Sequence, residues 1–121
     1  MFLAASNKVK KLLHLSYLAH VGAADLRRGH DDVVALLADL PAGFKLLVDL
    51  GRLDSMDTAC VEELGRMMDL FDQHGLKQVV RVVPDPVKDI GFNILARFHY
   101  HHNPQITNCK TMVEAEKLLK L

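Results

Sequence analysis

The feature that most constrains the fold is the stretch Lys45–Leu64, which combines a buried strand, a short loop and a helix start. Its apolar run Leu46-Leu47-Val48 is short and uninterrupted, which is typical of a strand covered on both faces. The loop carries Ser55, Asp57 and Thr58, residue types that cap helix starts. Because backbone N–H groups at a helix start lack intrahelical partners and favour negative charge, we expect a functional site there first.

Length and composition predict an ordinary globular domain. The chain has 121 residues, 50% of them hydrophobic and 25% charged, and we expect one domain over residues 1–121. Fifteen basic residues balance fifteen acidic ones, so nucleic-acid binding is not expected. Two cysteines fit a reducing compartment, and neither a signal-peptide order nor a bilayer-length apolar segment is present. The sequence therefore predicts a soluble cytoplasmic protein without membrane insertion.

The acidic residues are concentrated just after the buried strand. Residues 54–72 contain one base, Arg66, and six acids: Asp54, Asp57, Glu62, Glu63, Asp69 and Asp72. One interpretation is a solvated helix face whose first acids complement the helix dipole. The other is an acidic surface that meets a basic partner.

Hydrophobic periodicity and breakers predict alternating strands and helices. In chain order we expect a strand and hairpin over 1–20, a helix over 23–40, a strand over 44–50, a helix over 58–74, a strand over 77–83, a helix from Asp85-Pro86, a strand over 105–108 and a helix capped at Thr111. Strands that alternate with helices favour a mainly parallel sheet with right-handed crossovers.

Three details of these helices can be checked. Gly29 should weaken the first helix and make its first turns irregular. Gly75 should end the second helix in the left-handed conformation. In the third helix, the inward stripe should consist of Val87, Ile90, Ile94 and Phe98.

This order, with Lys45–Leu64 in its middle, resembles the STAS domain family, which includes bacterial anti-sigma-factor antagonists. The resemblance covers about Leu13 to Leu119, and its most specific part is LLVDLGRLDSMDTACVEEL. Lys77–Val83, the helix after it and Met112–Leu118 add weaker similarity. The resemblance implies a STAS-like (SpoIIAA-like) α/β fold, with a mainly parallel sheet of four to five strands packed with about four helices.

The resemblance also implies a switch loop, here Ser55, Met56, Asp57, Thr58, Ala59, Cys60 and Val61. In the antagonist branch, a partner kinase phosphorylates the second hydroxyl residue after the aspartate, and this position is Ala59 here. The neighbouring hydroxyl, Thr58, is the candidate phosphosite that remains. Asp-Thr-Ala is also similar to STAS subunits of bacterial phospholipid ABC transporters.

Each candidate residue also has a purely structural interpretation. Asp57 should cap the following helix, and the hydroxyl of Thr58 could simply hydrogen-bond locally. Cys60 lies where a helix start favours thiolate, although most such cysteines are packing residues. The run His99–His102 has consecutive residues that point in different directions, which favours a solvated or interface-forming helix end over a metal site.

The resemblance thus implies a non-enzymatic interaction module of bacterial signalling and transcription regulation, and we expect no cofactor and no metal. Neither a glycine-rich phosphate loop nor a nucleophile elbow is present. The resemblance implies an anti-sigma-type kinase as partner or, as the alternative, the ATPase of a lipid or anion transporter. Homodimerisation through sheet edges or helix faces is compatible with the sequence.

Overall fold

The computed structural model describes residues 1–85 and 90–121. Along the described chain, strands and helices alternate after an initial run of strands. The elements are β1 (Phe2–Asn7), β2 (Leu12–Tyr17), β3 (Ala19–Val21), α1 (Ala23–Ala38), β4 (Lys45–Asp49), β5 (Leu53–Met56), α2 (Cys60–Gln73), β6 (Gln78–Val82), α3 (Ile90–His99), β7 (Gln105–Cys109) and α4 (Met112–Leu119).

Five strands form a mainly parallel sheet in the order β1-β2-β4-β6-β7. The hairpin strand β1 is antiparallel to β2, whereas β2, β4, β6 and β7 run parallel to one another. A hairpin needs only a tight turn, but each parallel neighbour needs a longer crossover, which a helix supplies here. The predicted α/β fold class is therefore confirmed.

The first three helices cover one face of this sheet. Each crossover moves to the next strand in the same direction, so right-handed connections place α1, α2 and α3 on the same side. Because side chains alternate along a strand, every second strand residue joins the core beneath these helices. These strand residues are Leu13, Leu15, Tyr17, Leu46, Val48 and Val79.

The terminal helix α4 covers the opposite face. Leu47 and Val80 from the central strands pack there with Ala115 and Leu119 of α4. The run Leu46-Leu47-Val48 is thus buried on both faces, as its continuous apolar character predicted. The predicted cap of α4 is also present, since the Glu114 backbone N–H donates to Thr111 Oγ1 at 3.2 Å.

Two glycines behave differently from one another. Gly75 has φ +90°, and the Leu76 N–H donates to the Phe71 carbonyl at 3.1 Å, so the predicted left-handed end of α2 is confirmed. Gly29 does not disturb α1, which contradicts the expected irregular turns. A Cβ atom at Gly29 would lie 2.4 Å from the Phe2 ring, so the glycine lets β1 approach the helix closely.

Helix α3 turns a different face to the core from the predicted one. Ile94 and Phe98, which were expected inside, are 51% and 71% exposed. The buried residues are Phe92, Ala96 and Tyr100. Both sets have helical spacing, so periodicity alone does not decide which set faces the sheet.

The predicted helix start at Pro86 and the predicted packing of Val87 and the Ile90 side chain lie outside what the structure describes. In the described part of the chain, no helix has both the length and the apolar character needed to cross a bilayer.

Candidate functional site

The loop after β4 contains a short strand that the sequence did not reveal. Strand β5 pairs in parallel with β3, and in this register His20 lies opposite Ser55. The Nδ1 atom of His20 lies 2.6 Å from Ser55 Oγ, and its Nε2 atom lies 3.1 Å from Asp57 Oδ1. One imidazole therefore connects two polar side chains of the predicted switch loop to the N-terminal part of the fold.

The prediction that Asp57 caps the helix is wrong. The N-cap residue of α2 is Ala59, and no side chain makes a cap hydrogen bond there. Asp57 contributes through its backbone, because its carbonyl accepts from the Cys60 N–H at 3.0 Å and its N–H donates to Val21 at 3.0 Å. Its carboxylate is thereby left to contact His20.

The remaining residues of the loop are mostly accessible. Ser55, Thr58 and Ala59 are exposed, and the Val61 side chain, one residue into α2, is 54% exposed. Met56 is half-buried. Most of the predicted switch loop, including Thr58, is therefore at the surface.

Cys60 is a packing residue in this structure. Its side chain is fully buried, and its Sγ donates to the Val21 carbonyl at 3.5 Å. Burial raises the pKa of the Cys60 thiol, and the negative charge of Asp57 raises this pKa further. The thiolate is thus disfavoured, because burial and the nearby negative charge outweigh the backbone hydrogen bond with Asp57, which lowers the pKa.

A groove of about 410 Å³ lies beside the loop and is bordered by α2 and α3. The loop contributes both apolar and polar residues to it, whereas the helices contribute apolar residues and one glycine. The described lining residues are Leu53, Asp54, Ser55, Met56, Asp57, Thr58, Val61, Leu64, Gly91, Phe92, Ile94 and Leu95. The predicted switch loop therefore forms one wall of an open, largely apolar groove.

A buried arginine helps to fix the position of the other wall. Arg81 on β6 is 1% exposed, and its guanidinium donates to Asn93 Oδ1 at 2.8 Å. The same guanidinium lies 5.8 Å from the centre of the Phe92 ring. These contacts orient the start of α3 and place Phe92 where it lines the groove.

Histidine–carboxylate pairs connect α3 and the residues after it to α2. His99 Nδ1 lies 2.7 Å from Asp69 Oδ1, and His102 Nδ1 lies 2.9 Å from Asp72 Oδ2. Asp72 also accepts the backbone N–H groups of His101 and His102, each at 3.1 Å. Among the described residues, no group of three or more side chains has a metal-binding arrangement.

The hydrogen bonds to Asp72 determine its charge state. Burial alone would raise the pKa of this carboxyl group, but the two N–H groups and the His102 ring outweigh burial and hold it below its ordinary value. The histidine cluster noted in the sequence is therefore connected to the acidic cluster. Part of the acidic surplus thus has an internal structural role.

Hydroxyl, imidazole and carboxylate groups in contact also form the triads of nucleophilic enzymes. Here the His20 and Asp57 side chains are 56% and 55% exposed, so water competes for their hydrogen bonds. We interpret the contacts among Ser55, His20 and Asp57 as holding the loop against β3.

Sequence reasoning did not identify several residues of this site. His20 was assigned to a hairpin and Ile94 to the core, and the other groove-lining residues of α3 were given no role. The signal that was available is the excess of apolar residues in α3, which has two apolar faces where a helix on a sheet surface needs only one.

No family model matches the sequence, and no curated protein matches it either. Solved structures do match its fold. An uncharacterised DUF3478-family protein with a SpoIIAA-like fold from Shewanella loihica PV-4 is 12% identical, has a TM-score of 0.74, and aligns over 98% of this chain and 93% of its own.

The anti-sigma factor antagonist SpoIIAA in its unphosphorylated form is 15% identical, with a TM-score of 0.62 over 99% of this chain and 98% of its own. The Bacillus cell fate determinant SpoIIAA in its phosphorylated form is 16% identical, with the same TM-score over 98% of this chain and 99% of its own. The chain thus has the SpoIIAA-like fold of STAS domains, as its sequence resemblance implied.

Proposed function

We propose that this protein is a non-enzymatic, cytoplasmic protein–protein interaction module of the anti-sigma-factor antagonist type. In this proposal, the surface that binds the partner kinase consists of the loop Ser55–Val61 and the adjoining groove. The observation that carries the proposal is the exposed loop, which forms the wall of an apolar groove on a SpoIIAA-like fold. Two of the structural neighbours are forms of an anti-sigma factor antagonist.

Phosphorylation of Thr58 is the proposed switch. Thr58 is exposed next to the start of α2, where the helix dipole favours a phosphate. A phosphate adds about −1.5 to −2 charges, which the nearby carboxylates of Asp54 and Asp57 would repel. In an interface, the added charge would also have to be desolvated, so modification should release the partner.

A two-hybrid selection followed by binding measurements with the purified partner tests this function. We expect a partner that binds wild type and the isosteric variant Thr58→Val but binds Thr58→Glu at least about tenfold more weakly, because only glutamate adds charge. Mass spectrometry after incubation with the kinase should locate phosphate on Thr58. Equal binding of all three forms would contradict the switch.

The sequence Asp57-Thr58-Ala59 supports a second candidate, an accessory STAS subunit that docks onto the ATPase of a lipid or anion transporter. The observation that favours this candidate is Ala59, because alanine lacks the hydroxyl that is phosphorylated in the antagonist branch. Substitution Ala59→Ser separates the two functions. A kinase partner should phosphorylate the new serine, whereas a transporter ATPase should bind both forms without modifying either.

A further inference from the structure

Helix α3 has two apolar faces, and only one of them is fully packed into the core. Phe92 and Ala96, together with Tyr100 directly after the helix, pack in the core, and Leu95 is partly buried against it. The residues Gly91, Ile94, Leu95 and Phe98 follow the spacing i, i+3, i+4, i+7 and therefore share another side of the helix. Three of these four residues line the groove.

Much of this second face is exposed in the part of the chain that the structure describes. Ile94 is 51% exposed and Phe98 is 71% exposed, and Val61 of α2, which also lines the groove, is 54% exposed. Such a contiguous apolar surface is typical of an interaction site, whereas single exposed apolar residues need no explanation. We name the surface formed by Val61, Gly91, Ile94, Leu95 and Phe98 the α3 groove face.

The charges at the groove indicate the kind of occupant. The described residues that line it include two carboxylates, Asp54 and Asp57, and no basic side chain. Both carboxylates belong to the loop residues that line the groove, whereas α3 contributes apolar residues and one glycine. An occupant that matches the groove must therefore combine an apolar side with positive charge along one edge.

We propose that the α3 groove face binds an amphipathic α-helix of the partner protein, with lysine or arginine residues facing Asp54 and Asp57. This inference rests on the proposed interaction function and names the part of the partner that is bound. Helices that enter such grooves insert apolar residues at i, i+3, i+4 and i+7. Electrostatic attraction at the loop wall fixes the direction and register of the bound helix.

The probe is a synthetic helical peptide with leucines on one face and lysines along one edge, labelled for fluorescence anisotropy. Its counterpart has glutamate in place of lysine and is otherwise identical. We expect the glutamate peptide to bind at least about tenfold more weakly, since like charges oppose each other across the groove. Addition of salt should weaken the binding of the lysine peptide.

Gly91 allows the groove to be filled without disturbing the core. No atom of the described residues lies within 4 Å of a Cβ atom at Gly91, so Gly91→Leu should fold and place its side chain in the groove. This variant should bind the lysine peptide at least about tenfold more weakly than wild type. Gly91→Ala adds only a methyl group at the same position and is the matched control.

Two further pairs of variants control for surface chemistry. Ile94→Asp should abolish peptide binding, whereas Val113→Asp, at a 62% exposed position on α4, should not affect it. Asp54→Asn should weaken binding of the lysine peptide more than Asp31→Asn, a substitution on the exposed side of α1, does. Circular dichroism of each variant verifies folding before binding is measured.

Three outcomes would overturn the inference. The first is equal binding of the two peptides, and the second is peptide binding that Gly91→Leu and Ile94→Asp leave unchanged. The third is binding of the fatty acid decanoate in place of the peptide. The proposed function fails separately. A partner that is sensitive to Thr58→Glu but indifferent to Gly91→Leu would retain that function and place the contact elsewhere.

Discussion

The imidazole of His20 on β3 lies 3.1 Å from the carboxylate of Asp57, which places the switch loop against a strand far away in sequence. The same ring contacts Ser55. Since the Asp57 backbone N–H also donates to Val21 at 3.0 Å, the loop is joined to β3 through both side-chain and backbone bonds. The shape of the groove therefore depends on contacts between β3 and the loop.

We predict that His20→Ala loosens the loop with little loss of global stability. The pair is exposed on both sides, so its removal should lower the free energy of unfolding by no more than about 1 kcal/mol. Amide hydrogen exchange at Ser55–Thr58 should become faster, and partner binding should weaken. Lys8→Ala, which removes the exposed Lys8–Asp39 pair at 3.5 Å, is the control. Loop exchange rates equal to those of wild type would refute this role of His20.

Gly29→Ala should destabilise the protein even though alanine is the better helix former. The new methyl group would lie 2.4 Å from the Phe2 ring, so β1 or the ring must move. We expect a loss of about 1–3 kcal/mol from overpacking, against about 1 kcal/mol gained in helix propensity. Urea denaturation measures the difference. Gly91→Ala, where no described atom lies within 4 Å of the added methyl group, should lose no stability, and equal effects at the two glycines would contradict this account.

Asp72→Asn should remove part of the acid sensitivity of the fold. The native pKa of Asp72 is held below its unfolded value, so its ionised form stabilises the native state above about pH 4. That stabilisation is lost as the pH falls through the lowered native pKa. We expect the variant to be about 1–3 kcal/mol less stable at pH 7 and to show a weaker decline below pH 4.

Chemical denaturation between pH 2 and pH 7 measures this dependence. Asp31→Asn on the exposed side of α1 is the control and should follow the wild-type curve. An unchanged pH dependence in Asp72→Asn would rule out this carboxylate as a source of acid lability.

Cys60 should react slowly with alkylating reagents in the native state. Its side chain is fully buried, and burial raises the pKa of its thiol, so both access and thiolate fraction are low. Iodoacetamide should modify Cys60 at a rate that follows unfolding, with rapid labelling in denaturant. Rapid labelling of the folded protein would show instead a reactive thiolate.

Much of the fold could be predicted from the sequence because its signals are local. Leu46-Leu47-Val48 indicated a strand buried on both faces, Gly75 indicated a helix end, and Thr111 indicated a helix cap. Each of these signals depends on residues that are close together in the sequence. The location of the loop between a buried strand and a helix also followed from the chain itself. The short pairing of β3 with β5 was missed, since neither segment is long enough to have a periodic pattern.

Only the tertiary structure decided between alternatives that are equivalent in the local sequence, such as the contact of Asp57 and the outward face of α3. Asp57 had the chemistry of a helix cap but contacts His20, because β3 is brought beside it by the fold. Helix α3 has two apolar stripes, and the position of Arg81 and Phe92 in the core determines that Ile94 and Phe98 face outward. Local sequence determines which elements form, whereas packing between distant segments determines which of their faces remains available for a partner.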